Sequence, residues 1–161
     1  MQRGAVPPGD GYIAAVGAKR AEQQVLVVGT PQQCFDALLD FESYPDWQQA
    51  VKGCEVRSRD GKGRGQRVWF EIYAEVQLLS YTLDYTYEEP HMLTWEFVSG
   101  DVRDIDGELV LEDQGDGTTL ATYGLSFDTG VSMPGGIASI LNDQVMQRSV
   151  EDLKARVETA A

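Results

Sequence analysis

Histidine, cysteine and glycine-rich stretches are where reactive chemistry would first show, and this 161-residue chain has few of them. His91 is its single histidine, so any Ser-His, Cys-His or multi-histidine zinc mechanism would have to run through it. It follows Pro90 in a turn between two strand patterns, the position of a solvated loop residue. Cys34 and Cys54 are the two cysteines; they lack CxxC spacing and an adjacent base, so both read as reduced, inert core thiols. Gly61-Lys62-Gly63-Arg64-Gly65 misses the spacing of a phosphate-cradling loop and joins two strands instead of opening a helix. Gly124-Leu125-Ser126-Phe127-Asp128 departs from a nucleophile elbow at the last glycine and falls inside a strand, where the strained turn cannot form. Asp104-Ile105-Asp106-Gly107 echoes a calcium loop, yet Val102 and Arg103 stand where ligands should begin and no glutamate closes it. The residues therefore imply no metal, no cofactor and no covalent catalysis.

What remains is aromatic. In the stretch 81–87 the odd positions Tyr81, Leu83, Tyr85 and Tyr87 are apolar or aromatic and the even ones polar, the alternation of a half-buried antiparallel strand. Leu93, Trp95 and Phe97 share one face of the next run, and Tyr123, Leu125 and Phe127 share one face of a later one. Buried tyrosine hydroxyls need hydrogen-bond partners, so such rows either fill a core or line a pocket for a ligand carrying a few oxygens. Arg103 has the parity of Ile105, Leu109 and Leu111. Its guanidinium either points inward, toward Asp84, Glu96 or a ligand oxyanion, or reaches solvent from the strand end.

The elements that must position these rows follow from local pattern. Gln24 to Val28 is a β-branched run stopped by Gly29, and Thr30-Pro31 supplies an N-cap with proline at the first helical position. A helix with Cys34, Phe35, Leu38 and Leu39 on one side ends near Asp40 and passes into a second helical piece, 41–47. Strands are expected over Val51–Arg59, Gln66 to about Leu79, 81–87, 92–98, about 105–111 and 120–128, with a bulge in the long second one. From Pro134 to about Thr159, Ile137, Ile140, Leu141, Val145, Met146, Val150, Leu153 and Val157 recur at spacings of three and four, an amphipathic helix of about 37 Å. Strand, two short helices, consecutive hairpin-connected strands and a closing helix make an α+β fold.

Composition narrows the partners. A net charge of −13 opposes binding to nucleic acid or to an anionic membrane surface. No apolar run approaches the roughly 20 residues of a membrane span, so stable membrane insertion is not expected and the cytoplasm is the expected compartment. Residues 1–20, rich in glycine, proline and alanine, read as a flexible lead-in, and 21–161 as a single domain.

The residues also resemble a family. Thr30-Pro31, Asp40-Phe41-Glu42-Ser43-Tyr44-Pro45-Asp46-Trp47, Gly107-Glu108-Leu109-Val110-Leu111 with Gly117-Thr118-Thr119, and Leu153-Lys154 are similar to motifs of the START-like, or SRPBCC, superfamily. Within it they resemble the bacterial polyketide cyclase/dehydrase and lipid-transport proteins, relatives of the coenzyme Q-binding START-domain proteins. The resemblance covers about 23–158. It implies a helix-grip fold: a curved antiparallel sheet of six to seven strands wrapped around the C-terminal helix, with two short helices after the first strand. Between sheet and helix it implies a hydrophobic cavity. From the sheet and the short helices, the lining would come from Trp47, Phe70, Tyr81, Leu83, Tyr85, Tyr87, Trp95, Phe97, Arg103, Tyr123, Leu125 and Phe127. From the last helix and its approach it would come from Met133, Ile137, Leu141 and Val145.

The expected function is binding of a hydrophobic or amphipathic small molecule, such as a lipid, a quinone or a polyketide-like compound, by a carrier or sequestering protein. An aromatase/cyclase-type enzyme is the alternative, weakened because Val68 to Val98 contain no arginine or lysine to act at mid-sheet. A protein-interaction module of the same fold is the third reading, with its partner undefined.

Overall fold

The computed structural model describes residues 19–73, 78–128 and 137–160, with side chains from Arg20 onward and, in the last helix, from Gln144 onward. Its elements in chain order are strand β1 (Lys19–Val28), helix α1 (Pro31–Leu39), a 3-10 turn (Phe41–Ser43) and short helix α2 (Tyr44–Trp47). Strands β2 (Val51–Arg59), β3 (Gly65–Tyr73), β4 (Leu78–Glu88), β5 (Met92–Gly100), β6 (Asp104–Asp113) and β7 (Thr118–Asp128) follow, and helix α3 (Ile137–Ala160) closes the order. The strands form one seven-stranded sheet in the order β1-β7-β6-β5-β4-β3-β2, with every pairing antiparallel. This is the expected curved sheet with its long helix, the START-like fold.

Local chemistry explains the joints. At the start of α1 the Thr30 hydroxyl accepts from the Gln33 amide at 3.1 Å, and the Gln33 side chain accepts from the Thr30 amide at 2.8 Å. This reciprocal cap satisfies two donors that a helix start otherwise leaves orphaned, and Pro31 adds a preset φ. In the β2–β3 turn, Asp60 Oδ1 accepts the amides of Lys62 and Arg64. β1 begins at Lys19, two residues inside the stretch read as lead-in.

One detail departs from the sequence reading. The strand expected from Gln66 to about Leu79 is two strands, because β3 ends at Tyr73 and Leu78 opens β4 in register opposite it. The intervening Ala74-Glu75-Val76-Gln77 contains no glycine, proline, asparagine or aspartate, so nothing in its composition signals a reversal. Register irregularities fall between β2 and β3 at Val51/Gly53, Val56/Ser58 and Ser58/Arg59, the last leaving Gln66 as the extra residue at the start of the stretch where a bulge was expected. Another falls between β4 and β5 at Thr82/Leu83, whereas β3 and β4 pair without a break.

The core divides into two clusters. One joins Phe41, Tyr44, Val68, Phe70, Leu83, Ile105, Leu125 and Met146; the other joins Val27, Phe35, Leu38, Leu93, Leu111, Ala121, Leu153 and Val157. Phe35, Leu93 and Leu153 are essentially inaccessible, and each such side chain contributes about 1.5–3 kcal/mol. Trp47, Trp95 and Tyr123 pack against both clusters and so bridge them.

Helix α3 is fastened by polar contacts as well as by its apolar stripe. Lys154 Nζ donates to the Leu26 carbonyl at 2.9 Å, and Glu158 accepts the Val28 amide at 2.8 Å. Those are backbone groups of β1, an edge strand, so the helix satisfies part of an edge that would otherwise invite pairing. Buried Asp152 accepts from both the backbone and side-chain nitrogens of Gln49, at 2.8 and 3.0 Å, and Gln48 donates to the Ser149 carbonyl.

Candidate ligand-binding site

Alternation along β4, β5 and β7 sends their aromatic side chains to the sheet face that α1, α2 and α3 cover. Tyr85 lies opposite Trp95 in register, with ring centroids 5.7 Å apart, and Trp95 meets Tyr123 at 5.6 Å. Space for the indole comes from Gly107, opposite Trp95 on β6: a Cβ there would lie 2.9 Å from the Trp95 ring and 2.4 Å from the Gly124 carbonyl. The row continues from Tyr85 through Phe70 and Tyr81 to Phe127, at 6.3, 5.8 and 6.5 Å. From the helical side, Phe41 meets Tyr85 at 4.9 Å and Tyr44 meets Phe70 at 6.2 Å.

The hydroxyls fall into two groups. Tyr44 donates to the Leu38 carbonyl at 2.6 Å, and Tyr87 donates to the Gly65 carbonyl while the Arg64 guanidinium lies over its ring. Arg64 is itself paired with Asp60 at 2.8 Å and Glu89 at 3.2 Å, so Tyr87 belongs to a closed ion-pair cluster at the β2–β3 and β4–β5 turns. By contrast, the hydroxyls of Tyr81, Tyr85 and Tyr123 and the Trp95 indole N–H have no hydrogen-bond partner among the described residues.

Burial keeps these polar groups uncharged. Burial pushes the Tyr123 hydroxyl up to about 12 and the Tyr81 hydroxyl well above the usual phenol range, Tyr81 being raised further by Tyr123 and Cys54. Burial likewise raises Tyr85, and its electrostatic neighbours are Tyr44, Tyr123, Tyr87 and Cys54. The Cys54 thiol, on β2, is pushed up to about 12, first by burial and then by Glu42 and Glu55. All of these groups are therefore neutral at physiological pH. Tyr81, Tyr85, Trp95, Phe97, Tyr123 and Phe127 are half-buried residues packed against the two core clusters.

The other anticipated residues have varied surroundings. Phe70, Leu83 and Leu125 are buried in the first core cluster, Trp47 is half-buried against Tyr44 with its indole N–H on Ser43, and Val145 is half-buried on α3. Arg103 points to solvent, its side chain 65% exposed and 3.6 Å from Asp128. It precedes β6, so strand parity does not reach it, and Val102 takes the buried position instead. Met133 lies outside the described residues, as do the side chains of Ile137 and Leu141. Sequence parity missed Phe41, Tyr44, Cys54 and Gly107; the three-residue spacing of Phe41 and Tyr44 on one helical piece was the available signal for that pair.

His91 is exposed in the β4–β5 turn, and both thiols are free. Cys34 is pushed up to about 11 by burial, against a hydrogen bond with Thr119. Among the described residues no cluster of acidic, histidine and cysteine side chains is arranged to hold a metal, and no helix is long and apolar enough to cross a membrane.

Comparison with curated proteins gives no match. Solved structures share the fold. A START superfamily protein from Mycobacterium smegmatis superposes with a TM-score of 0.82 at 21% identity, covering 88% of this chain and 99% of its own. The Zhui aromatase/cyclase from Streptomyces sp. R1128 gives 0.75 at 13% identity, covering 88% and 94%. A protein from Thermus thermophilus gives 0.74 at 17% identity, covering 89% and 99%. The family model described as polyketide cyclase / dehydrase and lipid transport matches residues 18–158, and the chain belongs to that family.

Proposed function

We propose that the protein binds an apolar or amphipathic small molecule against the inward aromatic face of its sheet, as a carrier or sequestering protein. The observation that carries this reading is the set of polar atoms without hydrogen-bond partners among the described residues: the hydroxyls of Tyr81, Tyr85 and Tyr123 and the indole N–H of Trp95, on half-buried residues. A sealed core leaves few such groups unpaired, because each costs about 1–3 kcal/mol. Ligand oxygens would satisfy them. Burying ~400 Å² of apolar ligand surface at ~25 cal/mol/Å² gives about 10 kcal/mol before immobilisation costs, so micromolar binding requires no charged contact.

The test is titration with 2-naphthol followed by tryptophan fluorescence. Saturable binding is expected, weakened roughly tenfold or more in Trp95→Ala and Tyr85→Ala variants that remain folded. Wild-type affinity in both variants would contradict the site.

The likeness to an aromatase/cyclase supports a second reading, in which the same hydroxyls polarise the carbonyls of a folded polyketide. A bound compound recovered with altered mass or ring count after incubation would favour this reading; unchanged compound favours the carrier.

A further inference from the structure

We infer that the site selects uncharged, oxygen-bearing aromatic molecules and rejects the same ring systems when they carry a carboxylate. The inference rests on the binding function proposed above and narrows its ligand class.

It starts from where the cations are. From Val68 to Gln147, a span that includes β4 to β7 and the start of α3, Arg103 is the only arginine or lysine and His91 the only histidine. Both are exposed, and Arg103 stands beside Asp128. The remaining cations near the sheet have other engagements. Arg64 is held by Asp60 and Glu89, Arg20 by Glu108, Arg67 by Asp84, and Lys154 by Glu158 and the Leu26 carbonyl. Lys52 and Arg148 line a surface groove of about 490 Å³ with Pro45, Asp46, Trp47 and Tyr73, and Arg156 lies over the Trp47 ring at 5.7 Å. These cations stand at the Trp47 end and not beside Tyr81, Tyr85, Trp95 or Tyr123.

The inward face offers neutral groups instead. They are the hydroxyls of Tyr81, Tyr85 and Tyr123, without partners among the described residues, the Trp95 indole N–H, the Cys54 thiol and, opposite Tyr123 on β1, the half-buried Gln23 amide. The charged groups that act on Tyr44 and Cys54 are acidic, Asp40 on the first and Glu42 and Glu55 on the second. The cations that act on the row, Arg64 and Arg59 at Tyr87, are themselves paired with Asp60, Glu89 and Glu42. Burial keeps the hydroxyls protonated, Tyr123 up to about 12, so they donate to or accept from a ketone, quinone or phenol oxygen without an ionisation step. A carboxylate brought in would be a buried charge with no counter-ion, which costs far more than a neutral oxygen that gains hydrogen bonds.

Three probes of one ring system separate these contributions: naphthalene, 2-naphthol and 2-naphthoate, titrated calorimetrically into the whole protein at pH 7. The expected order is 2-naphthol tightest, with 2-naphthoate weaker than it by on the order of tenfold or more. Lowering the pH to 5.5 should narrow that gap, because the free acid, with a pKa of about 4, becomes more populated while the phenol is unchanged. Tyr85→Phe and Tyr123→Phe together should reduce the ratio of 2-naphthol to naphthalene affinity, both measured on the same variant. Naphthoate binding as tightly as naphthol at pH 7 would overturn the charge selectivity and leave the binding site standing. Equal affinities for naphthol and naphthalene would overturn the role of the hydroxyls. Failure of all three probes to bind would overturn the proposed site itself.

Discussion

Among the described residues five tyrosines stand on or beside the inner face, and they divide by whether the hydroxyl has a hydrogen-bond partner there. Tyr44 satisfies the Leu38 carbonyl in the last turn of α1, and Tyr87 satisfies the Gly65 carbonyl at the start of β3. Removing either hydroxyl deletes a hydrogen bond to a main-chain carbonyl, so Tyr44→Phe and Tyr87→Phe should each lose about 1–2 kcal/mol in chemical denaturation. Tyr85→Phe and Tyr123→Phe remove hydroxyls that bond nothing in the described protein and should change stability by less than about 0.5 kcal/mol. Equal losses in the two pairs would show that the second pair has partners too. Gly107 makes the complementary point about space. Gly107→Ala would drive a Cβ into the Gly124 carbonyl and the Trp95 ring, and the expected cost is about 1–3 kcal/mol with a shifted Trp95 emission maximum. An unchanged melting curve and spectrum would contradict the packing described for the indole.

At the scale of elements, α3 is held to the rest of the chain through a few polar contacts whose loss is measurable. Asp152 accepts two hydrogen bonds from Gln49 and ties the loop after α2 to the helix. Asp152→Ala should cost about 1–3 kcal/mol and speed amide exchange at Gln49; unaltered exchange there would mean that other contacts hold the loop. None of this fastening was legible in the sequence, because it joins residues more than a hundred positions apart. What was legible was local. Thr30-Pro31 announced the start of α1, and the alternation in 81–87 announced β4, because caps and strand parity are set by neighbours. The reversal between β3 and β4 was not legible, since Ala74-Glu75-Val76-Gln77 lacks the residues that mark turns. Of the two orientations open to Arg103 the structure shows the one toward solvent, because parity holds only inside a strand and β6 begins one residue later. The aromatic rows of the site could be read off β4, β5 and β7, whereas the contributions of Phe41, Tyr44 and Cys54 depend on how the short helices and β2 close over them.

For the molecule as a whole, buried neutral groups predict an alkaline limit to stability. Unfolding lets the cysteine thiols ionise at their ordinary value of 9.0, whereas in the folded protein burial holds Cys34 protonated to about 11 and Cys54 to about 12. Between those values the unfolded chain binds fewer protons than the native one, so stability is fully present below about pH 9 and falls as pH rises toward 12. Urea midpoints measured from pH 7 to 11 should decline from about pH 9, and Cys34→Ala/Cys54→Ala should flatten the first part of that decline. A wild-type profile that the double substitution leaves unchanged would assign the decline to other groups. The central claim concerns the inward aromatic face, and the most direct measurement of it is native mass spectrometry of protein purified gently from its own organism, with organic extraction of anything released. The account predicts a stoichiometric, uncharged, oxygen-bearing aromatic or quinone-like molecule. Protein that is empty when purified and also takes up no quinone, phenol or aromatic ketone would contradict it.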